Sequence, residues 1–330
     1  MANARRAVRE MLAELNLSAG DRLLVAVSGG PDSMALAAAT KFEASRAGLL
    51  VAGCVVDHGM QTGSHDIALE AQQRLLAIGI DPVEIEQVEV KTRGEGLEAA
   101  AREVRYKALE RARKLTGSSW ILTGHSQDDQ AETVLLGLAR GSGLRSISGM
   151  PRIDSERKLA RPLLGISRAE LRQSCIDQDV EFWDDPHNLD ERFLRIKVRN
   201  LSEQLEQTLG PGFNQALAKT ASSAAQAADL IARLAENLVD AALLRSSAKQ
   251  ASYSVSELAA ADLVLLNQAL HTICQRAGAR NISRVQIEEV ASLITNWHGQ
   301  KPLSLAGITV ERVASQLVVK KNPKLTPGAC

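Results

Sequence analysis

Apolar positions in the first 140 residues follow two alternating rhythms. Short runs of aliphatic and β-branched residues, RLLVAVS at 22–28, LLVAGCVVD ending at Asp57, VEIEQVEV after Pro82 and SWILTGH before Ser126, are each followed by a stretch of helical period. Four such units predict an α/β fold, a doubly wound parallel sheet with crossover helices. Ligands of an open sheet of this kind sit at the carboxyl ends of its strands.

From Arg140 the rhythm loosens. Gly141, Gly143, Gly149 and Pro151 punctuate a connection, followed by a short ARPLL segment and a helix from about Arg168 to Asp179. Between Leu201 and about Arg245 the chain is nearly free of helix breakers after Gly212, which predicts one or two long helices leading into a mainly helical second domain. The tail PLSLAGITVERVASQLVVKK alternates like a small β-hairpin. The expected division is therefore 1–200 for a catalytic domain and 201–330 for a helical domain with a long linking helix.

Length agrees with two domains, since 330 residues exceed the usual ~150 per domain. With 39 basic and 39 acidic residues the net charge is zero, which excludes a basic tail or an acidic solvating protein but leaves room for a local phosphate-binding patch. Aromatics make up only 3%, which argues against stacking platforms for single strands. Cys54, Cys175, Cys274 and Cys330 are scattered without a CxxC, so zinc ribbons and redox pairs lack support and packing is the expected role. The amphipathic start MANARRAVREMLAEL is unlike a signal peptide, and no apolar run is long enough for a membrane span. A cytoplasmic protein is expected.

The strongest local signal is Ser28-Gly29-Gly30-Pro31-Asp32-Ser33, directly after the first strand and before the first crossover helix. Paired glycines permit a sharp turn, and proline is tolerated in the first turn of a helix. Free amides and the positive end of the helix dipole then invite an anion such as phosphate. A plain strand-to-helix turn capped by Asp and Ser explains the same residues. Neither GxxxxGK[ST] nor GxGxxG occurs, which weakens kinase, GTPase and dehydrogenase readings. Asp129 and Glu132, three apart on a helix beginning near Gln127, share a face with Asp128 angled away. They suit Mg²⁺ binding or proton acceptance, and they equally suit a solvated acidic first turn. His58 and His125 each follow a predicted strand, as ligand contacts or as capping residues. Arg102 and Arg105 share one helix face near Lys107, either solvated or available to a ligand.

SGGPDS after the first strand resembles the signature of the PP-loop ATP pyrophosphatase superfamily, whose members cleave ATP between the α and β phosphates and adenylate an oxygen of a second substrate. The ordered set Asp57-His58-Gly59, Gly96-Leu97-Glu98-Ala99-Ala100-Ala101-Arg102 with Arg105-Tyr106, Thr123-Gly124-His125 through Thr133, Arg140-Gly141, Arg161-Pro162-Leu163-Leu164 and Asp185-Pro186-His187-Asn188 is similar to the tRNA(Ile)-lysidine synthase family over residues 20–200. Ser126 stands where the family often has His or Asn, and His187 interrupts its usual Asp-Pro-Ser-Asn.

The resemblance implies adenylation by ATP of the wobble cytidine in tRNA(Ile) with anticodon CAU, attachment of L-lysine to form lysidine, and release of AMP and pyrophosphate. It implies ATP binding by Ser28 to Ser33 with His58 and His125, and catalysis by Asp32, Asp129, Glu132 and Arg199, the two carboxylates of the 129–132 turn also being Mg²⁺ candidates. Arg102, Arg105, Arg140, Arg161, Arg192 and Arg195 are expected to contact tRNA or lysine. A basic patch of Arg140, Arg145, Arg152, Arg157, Lys158 and Arg161 is expected to meet tRNA, and the alanine-rich helices at 215–245 suit a homodimer. The chain resembles the short form of the family, without a further carboxyl-terminal domain. A PP-loop tRNA thiolase, a small-molecule amide ligase and a non-catalytic nucleotide- or RNA-binding protein are the alternatives.

Overall fold

A computed structural model of the chain describes residues 1–59, 63–90, 97–141, 143–184 and 194–322. It forms two compact units, residues 1–225 and 226–330.

The first unit opens with α1 (Ala2–Glu14), then alternates β1 (Arg22–Val27), α2 (Pro31–Arg46), β2 (Leu50–Asp57), α3 (Ser64–Ala77), β3 (Val83–Gln87), α4 (Leu97–Leu115), β4 (Trp120–Thr123) and α5 (Gln127–Arg140). A short α6 (Leu144–Ile147), β5 (Ile153–Asp154), β6 (Leu159–Ala160) and α7 (Arg168–Ile176) follow. The sheet order is β3-β2-β1-β4-β6-β5, parallel except for the β5–β6 pair. Side chains of β1 alternate between two cores: Leu23, Val25 and Val27 pack with residues of α1, α2 and α3, while Leu24 and Ala26 pack with Leu109 and Ala112 of α4. Burial on both faces is why these strands read as continuous apolar runs.

The chain leaves β1 toward β2 on one side and returns from β3 to β4 on the other. The strand order therefore reverses between β1 and β4, and a crevice opens at their carboxyl ends. There the backbone comes close: a Cβ on Gly124 would lie 3.0 Å from both Asp32 O and Ser33 Cα.

The helical tract is α8 (Leu194–Leu209) and α9 (Phe213–Ala242). The compact units divide inside α9 rather than near residue 200, because α8 packs on α5 and Asn214 Nδ2 donates to Asp128 Oδ1 (3.3 Å), which ties this tract to the first unit.

In the second unit the expected hairpin is the centre of something larger. β9 (Leu303–Leu305), β10 (Ile308–Val313) and β11 (Gln316–Lys321) join β7 (Leu243–Ser246) and β8 (Gln250–Ser254) in a five-stranded antiparallel sheet of order β7-β8-β11-β10-β9. The helices α10 (Val255–Ala259), α11 (Leu263–Arg276) and α12 (Arg284–Thr295) complete this unit, with Leu270, Ile273 and Val290 of the helices sharing a core with Ile308, Val310 and Leu317 of the sheet. No helix among the described residues is long and apolar enough to cross a membrane.

Cys54, Cys175 and Cys274 are buried free thiols, each pushed up to about 12 by burial, so they stay protonated and act as packing. Cys330 lies outside the described residues.

Candidate functional site

The first wall of the crevice is the turn from β1 to α2. Gly29 has φ +85°, a left-handed conformation open to glycine, and Gly30 is the N-cap of α2 with Pro31 in its first turn. Ser33 Oγ donates to Gly30 O (2.9 Å) and accepts from Ser28 N (3.2 Å), so the hydroxyl folds the turn onto itself. Trp183 N donates to Gly29 O (2.9 Å) and pins it from outside. Helix amides at this end point into the crevice and favour an anion.

The second wall is the start of α5. Ser126, fully buried, caps the helix in a reciprocal arrangement: Asp129 N donates to Ser126 Oγ (3.4 Å), while Ser126 N (2.8 Å) and Ser126 Oγ (3.0 Å) donate to Asp129 Oδ2. A serine at this position thus sets the Asp129 carboxylate. Asp129 and Glu132 do share a face, as their spacing requires, and Asp128 points elsewhere, toward Asn214 and the backbone of α7.

Arg168, the first residue of α7, joins the two walls. Its Nε donates to Asp32 Oδ2 (3.4 Å), and its Nη2 donates to Asp129 Oδ1 (3.0 Å) and Glu132 Oε1 (3.4 Å). Arg199 of α8 adds a further bond from Nε to Glu132 Oε1 (3.0 Å). Three carboxylates and two guanidiniums meet here. Asp32 Oδ1 and Glu132 Oε2 are buried without a hydrogen-bond partner among the described residues, whereas both Asp129 oxygens are engaged. No group of three or more metal-ligating side chains occurs among the described residues, so the open acceptors suit a divalent cation held by one or two carboxylates and by ligand oxygens.

The charges respond to these surroundings. Burial pushes the Asp32 carboxyl up to about 7, with Arg168 opposing and Asp129 reinforcing. Burial and the neighbouring Asp129 also raise Glu132, against the pull of Arg199 and Arg168. Burial would raise Asp129 too, but Arg168, His125 and the Ser126 hydrogen bonds outweigh it and leave this carboxyl below its ordinary value. Arg168 loses some basicity to burial and regains more from Asp129, Asp32 and Glu132, so it is firmly protonated.

A basic half faces this acidic one, with His125 between them. Burial, then Arg105, Arg161 and Arg102, pull His125 down to about 3 against the attraction of Asp129, so the imidazole is neutral. Its Nδ1 lies 2.8 Å from Thr123 Oγ1. His58 is lowered by burial and by Arg105, and its buried Nδ1 has no hydrogen-bond partner among the described residues. Arg102 stacks over Tyr106 (5.2 Å to the ring centre), and burial lowers both Arg102 and Arg105. These arginines are therefore not a solvated surface run. Arg161 departs from its expected place in a solvent-facing patch: it is 2% exposed, donating from Nη1 to Pro151 O (2.6 Å) and from Nη2 to Tyr106 Oη (3.4 Å). Of the patch, Arg140, Arg145, Arg157 and Lys158 are exposed and Arg152 is half-buried. Arg195 is half-buried on α8. Arg192 and the Asp185-Pro186-His187-Asn188 motif lie outside the described residues.

The structure thus gathers Asp32, Asp129, Glu132 and Arg199 into one network, and sets His125 with Arg102, Arg105 and Arg161 beside it. The residue that sequence reasoning missed is Arg168. Its signal was available, as the basic residue following a capping serine four positions after Arg161-Pro162-Leu163-Leu164, but a lone arginine at a helix start reads as solvated.

Residues 2–205 match the family model described as the PP-loop domain, and residues 254–318 match the TilS substrate binding domain. The chain is 42% identical to the tRNA(Ile)-lysidine synthase of Leifsonia xyli over 297 residues, covering 90% of this chain and 89% of that one. It is also 42% identical to the enzyme of that name from Streptomyces coelicolor over 308 residues, covering 91% and 85%. Among solved structures, the U34-tRNA thiolase NcsA of Methanococcus maripaludis aligns with a TM-score of 0.54 at 18% identity, over 67% of this chain and 77% of that one, a likeness of fold alone.

Proposed function

The chain belongs to the tRNA(Ile)-lysidine synthase family, an ATP-using group of tRNA-modifying ligases, and from that premise we propose that it attaches L-lysine to the wobble cytidine of a tRNA(Ile) with a CAU anticodon. A second domain matching a substrate-binding model of this family favours the ligase over the thiolase. The observation that carries the reading is the meeting of Asp32, Asp129 and Glu132 at the strand-order reversal, with a basic half alongside.

The cytidine 2-oxygen is a poor leaving group. Its attack on the α phosphate of ATP forms an adenylate and expels pyrophosphate, which the amides and hydroxyls of residues 28–33 receive. The lysine ε-amine then adds at C2, and AMP leaves with the former 2-oxygen. The amine must shed a proton to attack. Glu132 is the better acceptor, because its carboxyl is raised and its Oε2 is open, while Asp129 stays ionised as an electrostatic anchor. Arg199 balances the charge on Glu132. His58, neutral His125, Arg102, Arg105 and Arg161 line the side that suits phosphates or a carboxylate, and Arg195 and Arg192 extend that role.

With Glu132 Oε2 assigned to the lysine proton, Asp32 Oδ1 is the oxygen that would hold Mg²⁺, in preference to the fully engaged Asp129. When bound it supplies neutralisation of phosphate charge. Further parts of the proposal are a cytoplasmic location, tRNA selection by the second domain, and a homodimer through α9, where Leu230 and Leu234 are 48% and 45% exposed. Sedimentation giving twice the chain mass of 35.4 kDa supports the dimer and a single chain mass refutes it.

The deciding experiment supplies labelled lysine, ATP and Mg²⁺ with an unmodified tRNA(Ile) transcript bearing CAU, and with the CAU-bearing tRNA(Met) as control. Label entering tRNA(Ile) alone, matched by AMP, is the expected result. AMP formed on another RNA without label would overturn the substrate assignment.

A further inference from the structure

Arg168 stands at the junction of the two walls, and its backbone position is set independently of Asp32, Asp129 and Glu132, the carboxylates that its side chain touches. Gln127 N donates to Ile166 O (2.9 Å) and Arg168 N donates to Asp128 Oδ2 (2.8 Å), which fastens the segment before α7 to the first turn of α5. Ser167 caps α7 reciprocally with Glu170. Cys175 Sγ donates to Pro31 O (3.3 Å), joining the last turn of α7 to the first residue of α2. The Arg168 Cα is therefore held by contacts of α7 and the segment before it with α2 and α5, none of them made by the Arg168 side chain.

We propose that Arg168 is a positioning residue of this site, its guanidinium holding the carboxylates of two separate helix starts in one register. The proposal rests on the function proposed above. Three features carry it. The planar fork places Nε on Asp32 and Nη2 on Asp129 and Glu132 together, a span beyond the single nitrogen of a lysine. Asp32, Asp129 and Glu132 would otherwise repel one another in a buried setting, and Arg199 reaches only Glu132 among them. Finally, Arg168 takes Asp32 Oδ2 and Glu132 Oε1 and leaves the buried Asp32 Oδ1 and Glu132 Oε2 without a partner among the described residues, so it orients these groups without occupying their remaining acceptor oxygens. The carboxylate beside the departing pyrophosphate and the one that accepts the lysine proton are thereby aligned through both steps.

The test compares wild type with Arg168→Lys, Arg168→Met and Arg168→Ala in lysine incorporation, with kcat and the KM for tRNA determined separately and thermal midpoints measured alongside. In Arg168→Lys and Arg168→Met, kcat is expected to fall about 100-fold while the KM for tRNA changes less than about twofold. Millimolar guanidinium is expected to restore Arg168→Ala at least about tenfold, and sodium chloride at the same ionic strength is not. Wild-type kcat in Arg168→Lys overturns the proposal. So does a parallel loss of kcat, tRNA affinity and thermal midpoint in every variant without guanidinium rescue, the signature of a merely structural residue. If Arg168→Ala does not fold, the Arg168→Lys split decides alone. Failure of the underlying function is distinct, because wild type itself would then incorporate no lysine.

Discussion

Asp32 illustrates how a site residue opposes the fold that holds it. Its carboxyl is raised to about 7, burial being the main cause, whereas in the unfolded chain it titrates near ~3.9. Between those values the folded protein binds a proton that the unfolded chain has released. Stability therefore falls as pH rises through the window and stays reduced above it. Asp32→Asn is accordingly expected to stabilise the ligand-free protein by roughly 2 kcal/mol at pH 8, with the gain more than halved at pH 5, while lysidine formation is lost. Thermal midpoints of both proteins at the two pH values check this, and a gain independent of pH would refute it. Glu132→Gln removes a buried acceptor while keeping its shape, and is expected to lower kcat for lysine incorporation by about 100-fold or more. Pyrophosphate release on tRNA should change far less, and an equal loss in both steps would shift the proton to another group. The carboxylates were legible because their spacing and order are written in one local turn. Arg168 was not, since its meaning depends on three carboxylates 36 to 136 residues away, and the buried state of Arg161 was hidden for the same reason: nothing local distinguishes a core guanidinium from a surface one.

The strand-helix units were legible at the level of elements, since burial on both faces writes an uninterrupted apolar run and glycine-rich turns mark the ends. The sheet of the second unit was not. β7 begins directly where α9 ends, with all four of its residues exposed, and its Leu243 and Leu244 simply continue the apolar residues of the helix, so it gives no strand signal of its own. The meeting of α2 with β4 was equally invisible, although it shapes the crevice. Gly124 approaches the backbone of Asp32 and Ser33, which cannot yield as a flexible side chain does. Gly124→Ala is expected to displace the first turn of α2, raising the KM for ATP about tenfold and costing about 1–3 kcal/mol of stability. ATP titration and thermal melts measure the two effects, and an unchanged KM would show that the turn tolerates the shift. Removing the cap of α7 tests the neighbouring joint. Ser167→Ala loses the Oγ that accepts from Glu170 N (3.3 Å) and is expected to cost about 1 kcal/mol. A larger proportional fall in kcat than in stability follows if α7 aims Arg168 as inferred.

The molecule as a whole carries no net charge, so attraction of a polyanion has to come from where its charges lie. Several basic residues of the 140–161 segment are partly compensated: Arg152 bonds to Glu14, Arg157 sits 3.6 Å from Asp154, and Lys158 lies over the Trp120 ring at 5.0 Å. Exposed pairs of this kind are weak, about 0–1 kcal/mol, and readily exchange a carboxylate for a phosphate. Arg161 is removed from the group by burial, which leaves Arg140, Arg145, Arg157 and Lys158 as the exposed members. Each phosphate contact that one of them makes releases counterions, so the slope of log affinity against log salt should shrink by about 0.7–0.9 for every contact removed. Replacing these four by glutamine is expected to flatten the slope for tRNA(Ile) and tRNA(Met) alike, because phosphate contacts carry no sequence information. Binding titrations of both tRNAs at a series of salt concentrations measure it. An unchanged slope would move the electrostatic contact to another face, and a slope changed for tRNA(Ile) alone would mean that the patch itself discriminates.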